Sequence, residues 1–213
     1  MTKKGHSSRR RILQRCLRPS SSPSAPRRSE VRRGALIEAA GTLFVEQGVD
    51  ATTVDDIAKG AGVAKGTFYH YFGSKACMLD ALRERFSDQF ISRIASAIAH
   101  CPADAWEAKL KCWLITAVDA YLDMRALHDV VFHSAELPLR HAMGDEPVVK
   151  NLAGLLMDGE AAGAWSIMDP LYVAVIMFHG LHGAVDEAIV AENVDKPIGP
   201  MIADLYIRMI GYR

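Results

Sequence analysis

Apolar residues recur along most of this chain at the three- and four-residue spacing of helices, and the strict alternation typical of strands is missing. A first apolar face runs from Leu36 to Phe44, and Gly48 follows it as a helix stop. A second stripe begins at Val54 and ends before Gly62, which permits a sharp turn. The pattern therefore predicts an all-helical protein of about nine helices.

Two helices are expected directly after this turn. A short one covers about residues 64–71, and Ser74 is a suitable N-cap for a long one whose apolar face runs from Met78 to Ile94. Thr53, with Asp56 three residues later, has the form of a capping box before the preceding helix. Three short helices with a tight turn between the second and the third form a helix-turn-helix, whose third helix enters the major groove of DNA.

The second half of the chain is predicted to contain five further helices. Asp169 followed by Pro170 marks one helix start, because an acidic N-cap and a proline at the first helical position both favour initiation. The five helices are expected to begin near residue 104, to cover about residues 125–136, 147–158 and 170–191, and to run from about residue 200 to 212.

The charges are unevenly distributed along the chain. It carries 25 basic and 25 acidic residues, but residues 1–33 hold 11 Lys and Arg against the single acid Glu30. Together with three prolines, this composition predicts a disordered basic N-terminal extension over residues 1–29. The extension is either an arm that lies along a polyanion such as DNA or a solvated tail, and both interpretations stay open.

Several functional classes lack their sequence signals. No phosphate-cradling glycine loop or nucleophile elbow is present, so we expect no catalytic site and no cofactor. His179, His182 and Asp186 have the residue types of metal ligands, but such residues often lie at an interface, so no metal is expected. The four cysteines show no CxxC pair, and no uninterrupted apolar run reaches the roughly 18 residues of a membrane span, which favours a cytoplasmic protein without membrane contact. An enzyme remains the alternative, which turnover in an unbiased substrate screen would support.

The residues of the helix-turn-helix suit contact with nucleic acid. Thr53 lies at a helix N-terminus, where unpaired N–H groups and the helix dipole favour an anion. Lys75 lies in the first turn of its helix, where a cation opposes the dipole, and an external phosphate would explain that placement. On the third helix, Gly66 lets the backbone approach DNA closely, and the Tyr69 hydroxyl can donate to a phosphate.

The segment from residue 53 to 75 closely resembles the DNA-binding module of the TetR (tetracycline-repressor) family of bacterial regulators, in its AcrR-like form. Its specific part is the run Gly-Thr-Phe-Tyr-His-Tyr-Phe-Gly-Ser-Lys, which begins at Gly66 and ends at Lys75. The resemblance covers about residues 31–85 and is only architectural beyond them. It implies that Thr53, Tyr69 and Lys75 bind phosphates, and that Lys65, Gly66, Thr67 and His70 face base edges or the adjacent backbone.

The resemblance also implies a whole-chain organisation. A helix-turn-helix domain over residues 30–75 would precede a helical ligand-binding and dimerisation domain over residues 76–213. A homodimeric, nucleoid-associated repressor would bind a palindromic operator in double-stranded DNA and be released by a small hydrophobic or amphipathic effector. A regulator of this type that has lost small-molecule sensing is the second alternative.

Candidate residues for these later functions are less specific. Small residues and an apolar stripe on the last two helices predict a dimer interface, or else an intramolecular core: Gly180, Gly183, Ala184, Ile202, Leu205 and Met209. Aromatic and histidine side chains of the middle helices predict a ligand pocket, although at helical spacing they also suit a core: Trp106, Trp113, Tyr121, His128, Phe132, Trp165, Phe178 and His179.

One property departs from what a DNA-binding module needs. Residues 34–80 hold three lysines against six acids. Because affinity for DNA increases with the number of phosphates neutralised, this module alone is expected to bind modestly. The basic extension would compensate for the missing charge.

Overall fold

The computed structural model describes residues 26–132 and 146–211 of the chain. Within these ranges it contains nine helices and no strand, so the predicted all-helical class and number of helices are confirmed. The helices are α1 Pro26–Gln47, α2 Val54–Gly60, α3 Lys65–Tyr71, α4 Lys75–Ile98, α5 Trp106–Asp123, α6 Arg125–Phe132, α7 Pro147–Ala161, α8 Pro170–Val190 and α9 Ile198–Met209.

The described residues form two compact units. The first unit takes residues 26–85 and 126–132, and the second takes residues 86–125 and 146–211. The chain leaves the first unit within α4, after Arg85, and returns to it for α6. This division differs from the expected domain boundary after residue 75. The reason is that Met78, Leu79 and Leu82 of α4 are buried in the core of the first unit.

The core of the first unit joins five helices. Leu36 and Phe44 of α1 and Ile57 of α2 are almost completely buried, as is Phe68 of α3. Val131 of α6 belongs to the same core, and its carbonyl accepts a 2.5 Å hydrogen bond from Nε of Arg83 on α4. Helix α6 therefore completes the first unit, although it lies far from the other helices along the chain.

Helix α1 begins at Pro26, four residues before the expected start of the helix-turn-helix domain at residue 30, so residues 26–29 of the expected disordered extension are helical. Proline is favoured in a first helical turn because its missing N–H has no helical partner to lose there. The hydroxyl groups of Ser29 and Tyr71 lie 3.0 Å apart, so this early start of α1 has a tertiary contact with the end of α3. The expectation of disorder for residues 1–25 lies outside the described residues.

The second unit packs α5 against α9 and α7 against α8. Trp113 of α5 is fully buried, and its Nε1 donates to Oδ1 of Asn151 at 2.8 Å. Helix α5 begins at Trp106 after Ala105, which makes no side-chain cap, so its expected start near residue 104 was slightly early. Helix α6 is described to Phe132, and the remainder of the helix expected over residues 125–136 lies outside the described residues.

Helix α8 is long and apolar enough, by length and composition, to cross a membrane, with a mean hydropathy of 1.4 over an 18-residue window. The sequence does not show this helix as an uninterrupted apolar run, because His179 and His182 interrupt its apolar residues. Its side chains are buried on one side only, since Met177 and Leu181 are buried whereas Ile176 is exposed. One-sided burial of this kind is that of a helix packed within a protein unit.

Replacement of Gly159 by alanine is expected to destabilise the second unit. The added Cβ would lie 2.0 Å from Cζ2 of Trp165, a buried ring whose Nε1 donates to the Leu156 carbonyl at 2.8 Å. Overpacking of a well-filled core costs about 1–3 kcal/mol. Unfolding in denaturant measures this loss.

The control for that substitution is Gly154→Ala on the same helix. No atom lies within 4 Å of the Cβ that it would add, so the gain in helix propensity, about 0.5–1 kcal/mol, is expected alone. Equal stability of the two variants would contradict the packing of Trp165 on Gly159.

Candidate nucleic-acid interface

Helix α2 begins with the capping box that its sequence predicts. The Thr53 hydroxyl accepts from the Asp56 N–H at 3.1 Å and donates to Oδ2 of Asp56 at 2.6 Å, while the Thr53 N–H donates to the same carboxylate oxygen at 3.0 Å. The side-chain and then the backbone hydrogen bond from Thr53 hold the pKa of Asp56 below its usual range. The Thr53 hydroxyl, expected to bind phosphate, thus already has an anionic partner within the chain.

The turn between α2 and α3 depends on Gly62. This residue has φ +65°, a left-handed conformation that glycine adopts without the steric cost of a side chain. The Val63 N–H then donates to the Ala58 carbonyl at 2.9 Å, which closes the end of α2. The turn that the sequence predicts at Gly62 is therefore present, and α3 begins after it at Lys65.

Helix α3 separates buried from exposed side chains in the way that its expected role requires. Phe68 is completely buried and Phe72 nearly so, and these two rings attach the helix to the core. Tyr69 is 53% exposed and packs its ring edge-to-face on Phe68, with centroids 5.5 Å apart. The other expected contact residues of this helix lie at or near the surface: Lys65, Gly66 and His70 are exposed, and Thr67 is half-buried.

Lys65 has a partner that no local sequence pattern indicates. Its Nζ lies 2.8 Å from Oδ2 of Asp55 on α2, and both side chains are more than half exposed. The hydrogen bond and the charge of Asp55 raise the pKa of Lys65. An ion pair in such exposed surroundings is weak, so a phosphate could replace the carboxylate.

Lys75 occupies a different position from the one expected of a phosphate ligand. Its Nζ donates to the backbone carbonyls of Val49 at 2.7 Å, Thr52 at 3.0 Å and Asp50 at 3.4 Å. These carbonyls belong to the loop between α1 and α2, and an ammonium has three donors. In this structure Lys75 therefore holds that loop against the start of α4, and its contact with a phosphate stays a prediction.

The aromatic residues expected to line a ligand pocket do not all lie in one unit. His128 and Phe132 belong to the first unit, where their rings lie 5.0 Å apart. Trp165 and Trp113 are buried in the second unit and donate to protein acceptors there, and Trp106 meets the edge of Trp165 at 6.5 Å. Trp113 and Trp165 thus act as core residues in the described structure, while Trp106 is half-buried beside them.

Three pocket candidates do come together in the second unit. Tyr121 of α5 donates its hydroxyl to Oδ1 of Asp186 on α8 at 2.6 Å, and its ring lies 4.7 Å from that of His182. Phe178 contacts both His182 and His179, with centroid distances of 4.3 Å and 5.5 Å. The sequence did not predict that Asp186 accepts this hydrogen bond from Tyr121, because the two residues are 65 positions apart along the chain and no local pattern links them. Among the described residues there is no group of three or more His, Cys, Asp or Glu able to hold a metal ion.

The residues expected to form a dimer interface divide between a buried and an exposed face. Ile202 is only 5% exposed and packs within the chain, whereas Gly180 is exposed, although a Cβ added there would lie 2.2 Å from the Tyr206 hydroxyl oxygen. Leu205 and Met209 are 50% and 62% exposed, Gly183 is exposed and Ala184 is half-buried. The expected interface thus includes one buried position, Ile202, and the exposed side chains of Tyr172, Ile176 and Met201 lie on the same two helices.

Comparison with known proteins matches part of the first unit to one family. Residues 36–82 match the model described as bacterial regulatory proteins, tetR family. The HTH-type transcriptional repressor KstR2 of Mycobacterium tuberculosis is 50% identical over 62 residues, which are 29% of this chain and 31% of the relative. The chain thus spans about a third of the length of the curated relatives it matches.

Solved structures share the fold over most of the chain. A TetR-family transcriptional regulator from Streptomyces coelicolor matches with a TM-score of 0.64 at 23% identity, over 86% of this chain and 99% of that one. RolR in complex with resorcinol matches with a TM-score of 0.59 at 21% identity, over 88% and 91%. These structures share the fold, and the resemblance to the TetR family is confirmed over residues 36–82, where the family model matches.

Lys75→Met is expected to lower the free energy of unfolding by about 1–3 kcal/mol, because it leaves half-buried carbonyls of the α1–α2 loop without their donor. Lys59→Met, on the exposed surface of α2, is the control and should change it by less than about 0.5 kcal/mol. The measurement is denaturant unfolding without DNA. A Lys75 variant as stable as the wild type would contradict this structural role of Lys75.

Proposed function

We propose that this chain, whose residues 36–82 are a helix-turn-helix of the tetR family of bacterial regulatory proteins, is a transcriptional repressor that acts as a homodimer on a palindromic operator. The observation that best supports this proposal is the surface of α3, where exposed Tyr69 and His70 lie between buried Phe68 and Phe72. The two buried rings set the orientation of the helix, so the exposed residues can enter a major groove in one register. The protein would act in the bacterial cytoplasm, at the nucleoid.

Each exposed residue of α3 has a proposed part in this contact. The Tyr69 hydroxyl donates to a phosphate, and His70 and Thr67 reach base edges or the adjacent backbone. Gly66 allows close approach, since no atom lies within 4 Å of its Cβ position. Lys65 would exchange Asp55 for a phosphate or a base, and the Thr53 hydroxyl would turn from Asp56 toward the DNA.

Selection of duplexes from a random pool with the full chain tests this function. A palindrome with half-sites about one helical turn apart, or a multiple of it, is the expected product. Tyr69→Phe should weaken binding of all selected sequences by roughly tenfold, because it removes one hydrogen bond to a charged group. Ser96→Ala removes an exposed hydroxyl from the second unit and should have no effect. Failure to enrich any duplex would refute the proposal.

An exposed apolar face on α8 and α9 supports the homodimer. Met201, Leu205 and Met209 recur every four residues on α9 and are all at least half exposed. Tyr172 and Ile176 of α8, also four apart, are exposed as well. Large apolar side chains aligned in this way usually mark an interaction surface, and two helices from each of two copies would form a four-helix interface.

Leu205→Glu is expected to convert the dimer to a monomer, because each charge would be buried without a partner in the interface. Met157→Glu, on the exposed surface of α7, is the control and should leave the dimer intact. Sedimentation equilibrium or light scattering on the purified chain measures the mass. A monomeric wild type, or a dimeric Leu205 variant, would contradict this use of the α9 face.

A small hydrophobic or amphipathic effector is proposed to release the operator. The group of Tyr121, Phe178, His182 and Asp186 supports this, because it combines aromatic rings with directed polar groups inside the second unit, as ligand sites do. RolR, which shares the fold, was solved with the small aromatic molecule resorcinol. Release of the selected operator by compounds of this class would support effector control, and release by none would favour a regulator without small-molecule sensing.

A further inference from the structure

Positive charge is scarce on the helix-turn-helix once the partners of its lysines are considered. Residues 34–80 contain only three lysines and no arginine. Lys65 is paired with Asp55, and the ammonium of Lys75 is held by backbone carbonyls. Within residues 34–80, Lys59 on α2 is the cation that can bind a phosphate without first giving up such a contact, since Lys65 would have to give up Asp55. A surface that binds a phosphate backbone needs more cations than that, because each neutralised phosphate contributes to affinity.

The first two turns of α1 supply such cations. Arg28, Arg32 and Arg33 are all exposed. Among residues 26–132 and 146–211, no ion pair involves any of the three. Arg28 and Arg32 are four residues apart and therefore lie on one side of the helix. The guanidinium of Arg33 lies 5.4 Å from the centre of the Phe72 ring, in the geometry of a cation–π contact.

Two contacts place these arginines beside the helix proposed to enter the major groove. The hydroxyl groups of Ser29 and Tyr71 are 3.0 Å apart, which joins the first turn of α1 to the last residue of α3. Tyr71 in turn lies edge-on to His70, with ring centroids 5.0 Å apart. Arg33 and His70 therefore both lie beside the C-terminal end of α3, and Arg28 and Arg32 lie in the same two turns of α1 as Ser29 and Arg33.

We propose that Arg28, Arg32 and Arg33 form a phosphate-binding surface, here called the α1 arginine surface, which contacts the DNA backbone next to the half-site that α3 reads. This inference rests on the proposed function, and it adds a site outside the helix-turn-helix. Its occupant is the phosphodiester backbone, because guanidinium groups without an ion-pair partner bind phosphate oxygens with paired N–H donors and without regard to base sequence. The surface supplies affinity, while α3 supplies sequence preference.

The test uses the full chain carrying Arg28→Gln and Arg32→Gln together, with Arg33 left in place because it packs on Phe72. Binding of the selected operator is measured over a series of salt concentrations. Each neutralised phosphate contributes about 0.9 to the slope of log affinity against log salt. The double variant removes two cations from each of two protomers, so the slope should fall by roughly 3.6 while the preferred sequence stays the same.

The control variant is Lys196→Gln, which removes an exposed cation from the second unit and should leave the slope unchanged. Thermal unfolding of the double variant should match the wild type, because both arginine side chains are exposed. If the wild type binds an operator and the double variant keeps its slope, the α1 arginine surface is refuted while the proposed function stands. If the wild type selects no duplex at all, the proposed function fails and this inference with it.

Discussion

The ammonium of Lys75 and the loop carbonyls that it binds determine the geometry of the first unit. A cation in the first turn of α4 opposes the dipole of that helix, and by itself the placement is unfavourable. The hydrogen bonds from Lys75 to the carbonyls of Val49 and Thr52 offset this unfavourable placement, because these half-buried carbonyls would otherwise lack a donor. The contact joins the end of α1 and the start of α2 to α4. This loop ends at the capping box of Thr53, where α2 begins, and the turn at Gly62 then leads into α3.

The proposed DNA surface has two parts, the exposed side of α3 and the arginines at the start of α1. Buried Phe68 and Phe72 hold α3, so Tyr69 and His70 can face outward without any cost to the core. The lysines nearest to them are engaged by Asp55 or by carbonyls, and among the described residues of this surface the charges outside any ion pair are Lys59 and the arginines at the start of α1. In the proposed complex, sequence preference and most of the electrostatic affinity would therefore come from different helices. The contact between Ser29 and Tyr71 connects the two.

The second unit uses the same residue types for three purposes. Tryptophans fill its core, with Trp113 and Trp165 donating to acceptors inside the chain. The rings around Tyr121 combine with Asp186 and suit a ligand. The large side chains of α8 and α9 that point away from the core suit a second copy of the chain. Helical spacing alone cannot separate these uses, since core, pocket and interface residues all follow the same period.

The sequence by itself determined the helices, the capping box of Thr53 and Asp56, the turn at Gly62 and the resemblance of the helix-turn-helix, because each depends on residues within a few positions of one another. Tertiary structure decided the partners of Lys75 and Lys65, the burial of Ile202 and the membership of His128 and Phe132 in the first unit. These contacts join residues from different helices, up to 65 positions apart for Tyr121 and Asp186. A local pattern states which side of a helix is apolar, but only packing determines which neighbour that side meets.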